Sequence, residues 1–253
     1  MNHKFVVVSH ILPPSPSGQA VMLYRLLSDL HPSQYCLISK YNYRDSYFSD
    51  KNWMNKLAGK YYSYGDILQM MLGSLYYKLA PLKSFSIGLF IINKYLGKWF
   101  HWFPGIREFM QFIRINLEIL IHAIQISYVV KKENCQVIIA CTGDIRDIPA
   151  AFLVSRLSKA AFIVYCFDDF VLQWSGMYRD VRLSYARWIA PVIFRNAHSV
   201  IVTNEMLQKS YRKRYKIVSK VIYNPFLKQQ STMKQSTKIQ LDNGSVNIVF
   251  TGA

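Results

Sequence analysis

Acidic residues are scarce in this chain: 14 Asp and Glu stand against 31 Lys and Arg, a formal net charge of +17 over 253 residues. That imbalance calls for an anionic partner, whether nucleic acid, an acidic membrane surface or a phosphorylated substrate, and does not choose among them. The glycine-rich phosphate loops are missing as well, with no GxGxxG and no Gly-Lys-Ser/Thr sequence. Four cysteines, Cys36, Cys135, Cys141 and Cys166, fall singly with no CxxC spacing. This pattern argues against zinc and disulfides and for reduced, buried thiols. The six histidines are scattered without the spacing of a helical metal site. No apolar run reaches about 18 residues, which argues against a spanning helix. The apolar run near the N-terminus stops at Ser9 and His10, too short for a signal peptide, so a cytoplasmic location is expected.

What is present begins with Lys4 to Leu30. Phe5 to Ser9 reads as a buried strand, Pro13, Pro14, Pro16 and Gly18 punctuate a loop, and Ala20, Leu23, Leu27 and Leu30 share one face of a helix. In an open parallel sheet the ligand crevice lies beyond the carboxyl ends of the strands, so the loop from His10 to Gly18 is expected to border a site. Ser17 and Gly18 stand where the helix begins, and its unpaired N–H groups can take an anion or a sugar hydroxyl. A helix start that simply needs a small residue explains the same pair.

A second strand is predicted over Tyr35 to Ser39. From Lys40 to about Val130 the pattern changes, with aromatics such as Tyr61, Tyr62, Tyr64, Trp99 and Trp102 interleaved with lysines. Helices are predicted over Ile67 to Leu79, Ile87 to Phe100 and Ile106 to Val130, the last apolar all round beyond Leu117, as a helix buried in a core would be. Residues 41–130 thus read as an aromatic and basic helical insertion. Rings at headgroup depth beside ammonium groups suit an anionic membrane surface. Single-stranded nucleic acid ranks below it, because no RNP-type strand or helix-turn-helix accompanies the aromatics.

Alternation resumes at Gln136, with strands at Gln136 to Thr142, Ala161 to Phe167, Ser199 to Thr203 and Lys220 to Tyr223, and helices between them. Continuous apolar strands alternating with helices predict an α/β fold, a parallel sheet covered on both faces. Asp144, Asp147, Asp168 and Asp169 follow strand ends, where carboxylates can hold sugar hydroxyls or act as a base. Helix capping explains Asp147 equally, and pairing with Arg179 or Arg182 explains Asp168 and Asp169. The run Lys209, Arg212, Lys213, Arg214, Lys216 and Lys220 reads as a solvated or membrane-facing surface. The polar stretch from Lys228 to Gly244 reads as linker, and Val246 to Phe250 as a further buried strand.

Three stretches, in this order, resemble landmarks of one family: the Pro-rich loop ending in Gly18, AHSVIVTNEMLQKSYRKRY from Ala197 to Tyr215, and KVIYNPF from Lys220 to Phe226. VNIVFTGA at the end is similar to the first strand and glycine turn of that family's second domain. The chain therefore resembles the N-terminal, acceptor-binding domain of the group-one GT-B fold glycosyltransferases. The likeness covers both ends and not residues 41–130. It implies a Rossmann-like parallel sheet over 1–226, a linker at 227–245 and the start of a C-terminal domain at 246–253. It implies a retaining sugar transfer from a nucleotide sugar without an obligatory metal or other cofactor. Asp144, Asp168 and Asp169 would face the acceptor, and Ser17 and Gly18 the donor phosphates, with Ser17 where the family usually has glycine. The nucleotide sugar would be held by a C-terminal half that is missing or separate, which leaves this chain inactive alone. Joined to the basic aromatic region, the resemblance points to a glycolipid or polyprenyl-linked glycan as acceptor in polysaccharide or envelope synthesis, at the inner face of a membrane.

Overall fold

The computed structural model describes residues 4–40, 56–65, 67, 70, 104–175 and 181–223. β1 (Phe5–Val8) leads through the proline loop to α1 (Gly18–Leu27), and a 3-10 turn at Pro32–Gln34 delivers β2 (Tyr35–Ser39). β3 (Lys60–Ser63) and α2 (Pro104–Lys132) follow, then β4 (Val137–Cys141), α3 (Asp147–Ser158) and β5 (Ala161–Cys166). α4 (Val181–Asn196), β6 (Ser199–Val202), α5 (Glu205–Tyr215) and β7 (Lys220–Val221) complete the alternation. The strands form one sheet in the order β3-β2-β1-β4-β5-β6-β7, and every pairing is parallel. The fold is α/β with a Rossmann-like parallel sheet.

Strand alternation divides the core in two. Val6, Val8, Ile138, Ala140, Val164 and Val202 point to the face packed by α2, α3, α4 and α5. Val7, Leu37, Cys141 and Tyr165 point to the other face, where Met22, Leu23 and Leu27 of α1 cover them. The two clusters follow from the period-2 pleat of strands whose residues are apolar on both sides. All four cysteines are buried and unbridged, with the Cys36 and Cys135 sulfurs 3.7 Å apart.

The structure departs from the sequence pattern mainly within residues 41–130. Lys60–Ser63 is the edge strand of the sheet, and Tyr61, Tyr62 and Tyr64 are buried instead of facing an interface. Four residues, KYYS, carry too short a pattern to signal a strand, and aromatic side chains suit a buried edge as well as a lipid surface. α2 differs from the helix expected to be buried all round. Ile119, Ile126 and Val129 enter the core, whereas Leu117, Leu120, Ile121 and Ile124 are exposed. Apart from residues 67 and 70, the helices expected at Ile67 to Leu79 and Ile87 to Phe100 lie outside the described residues, as do the expected linker and the strand at Val246.

Candidate functional site

The sheet turns back on itself between β1 and β4: β1 is followed in sequence by its neighbour on one side, whereas β4 lies on the other and continues the sheet in the opposite direction. At such a switch point the loops leaving the two carboxyl ends diverge to opposite faces and leave a crevice. Its walls are the loop from Ser9 to Gly18 after β1 and the loop from Thr142 to Arg146 after β4.

The first wall is built from local hydrogen bonds. Ser9 Oγ donates to the Ile11 carbonyl at 2.7 Å and accepts from Gln19 Nε2 at 2.8 Å, tying the strand end to the first turn of α1. The His10 carbonyl accepts from Ser39 Oγ at 3.2 Å, and Tyr61 Oη donates to the Pro13 carbonyl at 2.9 Å. Ser17 is the N-cap: its backbone is extended and its Oγ accepts from the Ala20 N–H at 3.3 Å. Gly18 opens the helix, and a Cβ built there would meet nothing within 4 Å. The small residue is therefore not demanded by packing inside the protein.

The second wall approaches the first through Gly143, whose φ is +133°. A Cβ there would lie 3.3 Å from Gln19 Oε1 and 3.4 Å from His10 Cβ, so glycine permits both the backbone conformation and the close approach. Asp144, next in sequence, is nearly buried and accepts from the Arg146 N–H at 2.9 Å and from Arg146 Nε at 2.7 Å. Arg146 Nη2 donates to the other carboxylate oxygen, and His10 Nδ1 stands 3.7 Å from it. Burial opposes ionisation of Asp144, but the hydrogen bonds and charge of Arg146 outweigh it and hold the carboxyl below its ordinary range. A carboxylate so held is a weak base and a good acceptor for a hydroxyl. Arg146 is itself fixed from α2, through Glu118 at 3.2 Å from its Nη1.

The other sequence-predicted residues fall at two distances from this crevice. Thr142 Oγ1 accepts from the N–H groups of Phe167 at 3.0 Å and Asp168 at 3.3 Å, which draws the loop after β5 against the end of β4. The Asp168 side chain is exposed beside it. Asp169 turns away: its Oδ1 accepts from the N–H groups of Val171 and Leu172, and Arg214 of α5 clamps its carboxylate. Of the arginines expected to pair with it, Arg179 lies outside the described residues, and Arg182 stacks over Trp174. Asp147 does not cap α3 but lies in its first turn, buried, accepting from Tyr64 Oη at 2.9 Å. Ser17, Gly18, Asp144 and Asp168 are thus brought to the carboxyl edge of the sheet, while Asp169 is spent on its own loop.

Sequence reasoning placed His10 in the loop expected to border the site without giving it a role, and missed Gln19 and Arg146. His10 had a signal, being the polar residue directly after an apolar strand. Gln19 and Arg146 had none: a glutamine in a first helical turn and an arginine two residues from an aspartate are ordinary in sequence, and their roles show only once Ser9 and Glu118 are seen beside them. Farther off, Lys209, Arg212, Lys213 and Lys216 line a basic surface pocket of about 450 Å³ near the end of α5. Among the described residues no group of three or more His, Cys, Asp or Glu is placed to hold a metal ion. No protein-family model and no curated protein matches the chain.

Proposed function

We propose that the chain is the acceptor-binding half of a nucleotide-sugar-dependent glycosyltransferase, with sugar hydroxyls of a glycan or glycolipid entering the crevice between β1 and β4. One observation carries the reading. The switch-point crevice sets an open helix start, Ser17–Gly18, against an ionised carboxylate, Asp144, held too low to act as a base and suited to accept from a hydroxyl. Asp168 extends that wall. Ser17 and Gly18 face the donor phosphates, which a C-terminal half binds, and no metal is needed for this division of labour. A lipid-borne acceptor would place the protein on the cytoplasmic face of a membrane.

The test is acceptor binding by the chain itself. Titration with short-chain polyprenyl-diphosphate sugars and soluble glycans, followed by calorimetry, is expected to give binding that Asp144→Asn weakens. Nucleotide sugars alone are expected to bind weakly. Strong binding of a nucleotide sugar with no binding of any glycan would overturn the assignment of the half.

A second reading, a noncatalytic membrane-surface protein on the same fold, is favoured by the occupation of two candidate acids: Asp144 is held by Arg146 and Asp169 by Arg214. Vesicle binding with no glycan binding under any condition would select it.

A further inference from the structure

We propose that the outer side of the helical layer made by α2, α3 and α4 docks on an anionic lipid bilayer. On α2, Leu117, Leu120, Ile121 and Ile124 are each exposed by half or more, and their spacing of three, four and seven residues sets them in one line. Phe109 and Met110 continue the exposed apolar surface toward the start of the helix. The opposite side of α2 seals the core through Ile119, Ile126 and Val129, so this helix has two apolar sides, and among the described residues only one is packed into the core. Apolar patches of this extent are rare on a monomer's free surface and mark a partner.

The patch passes from α2 to its neighbours. Phe112 meets the ring of Trp188 edge-on at 6.4 Å between centroids, and Trp188 on α4 is 62% exposed. Val192, one turn on, and Leu157 at the end of α3 are exposed as well.

The charge on this layer selects the partner. α4 carries Arg182, Arg187 and Arg195 and no acid at all, α3 exposes Arg156, and α2 ends in the exposed pair Lys131 and Lys132. Glu108 is the one exposed carboxylate among the described residues of these three helices, and Glu118 is engaged by Arg114 and Arg146. Aliphatic side chains and a tryptophan on helices whose exposed charges are almost all cations suit the boundary between acyl chains and acidic headgroups. A second copy would bring the same cations face to face, and the Leu/Ile stripe that makes up the centre of the patch offers nucleic-acid bases little to stack on, the rings of Phe109 and Trp188 standing apart at its margins.

By length and composition Glu108–Lys132 is also apolar enough to cross a membrane, but its inner side is part of the sheet's core, so the helix lies on the surface. At 29 residues it is about 43 Å long and offers a correspondingly long contact. The proposal stands on this surface alone. If sugar transfer holds too, it names the side on which a lipid-borne acceptor would arrive.

The experiment is flotation of the full chain with phosphatidylcholine vesicles, with and without phosphatidylglycerol, across a salt series. Wild type is expected to float with the anionic vesicles and to lose part of that binding as salt rises. Leu120→Glu with Ile124→Glu is expected to lower affinity by about tenfold or more, because two buried apolar contacts are lost. Arg187→Gln with Lys131→Gln is expected to weaken binding only to anionic vesicles. All four positions are exposed, and an unchanged thermal melt shows that each variant is folded. Equal flotation of the folded Leu120→Glu/Ile124→Glu variant and wild type overturns the proposal. So does wild type that ignores vesicles, whether it forms an oligomer that this variant dissolves or is retained on single-stranded RNA.

Discussion

Arg146 grips Asp144 from both its backbone and its side chain: the N–H and Nε donate to one carboxylate oxygen and Nη2 to the other. The loop after β4 is therefore rigid at the point where it lines the crevice. Replacing Arg146 with Met leaves Asp144 nearly buried with only its backbone donor and a distant His10. The expected cost is about 2–4 kcal/mol of stability, read from urea denaturation. Glu118→Gln removes only the outer, partly exposed link and is expected to cost less than about 1 kcal/mol.

At the other end of the sheet, Glu133 collects donors from Lys4, Lys60 and Tyr62. Its burial favours the neutral acid, but these hydrogen bonds prevail and hold the pKa at about 2, against an ordinary 4.5. The folded state thus binds its proton more weakly than the unfolded chain does. The stabilisation is complete above about pH 4.5 and is lost as the pH falls toward 2, and the shift corresponds to about 3 kcal/mol. Stability measured between pH 6 and 2 is expected to fall through this window, beyond the loss shown by Glu133→Gln. Equal slopes for the two proteins would remove Glu133 from the acid response.

Strand ends were legible in the sequence because continuous apolar runs such as VIIAC, which stops at Thr142, and AFIVYCF, which stops at Asp168, end abruptly at polar residues, and those stops placed Asp144 and Asp168 at the sheet edge. The parallel sheet followed from the same runs. Side-chain partners were not legible. Asp169 pairs with Arg214, 45 residues on, because α5 reaches the loop after β5, and no local spacing encodes that approach. The two sides of α2 were hidden for a related reason: an apolar side that seals a core and one that faces outward have the same composition.

Ser17 and Gly18 separate a structural from a binding role. Ser17→Ala removes the side-chain acceptor for the Ala20 N–H and is expected to cost about 1 kcal/mol. Gly18→Ala meets no atom within 4 Å and gains helix propensity, so its melting temperature is expected to hold or rise. If Gly18 admits a ligand's phosphate or hydroxyl, the same variant weakens ligand binding. A stable Gly18→Ala protein with unchanged affinity for every acceptor and donor would return this residue to ordinary helix geometry.

Gly143 is expected to be the least replaceable residue of the crevice. A methyl group there faces two obstacles, a backbone φ of +133° and the Gln19 side chain at 3.3 Å. The first cannot relax without moving the loop that carries Asp144, whereas the second is the end of a flexible side chain. Gly143→Ala is expected to lose about 1–3 kcal/mol, mostly to the backbone. A double-mutant cycle with Gln19→Ala tests the division. Gln19→Ala costs stability itself, since it cuts the hydrogen bond to Ser9 Oγ, but the cycle subtracts that loss. A coupling below about 0.5 kcal/mol leaves the penalty in the backbone. A coupling that cancels most of it would instead make the crevice's narrowness a matter of side-chain contact, adjustable by moving Gln19.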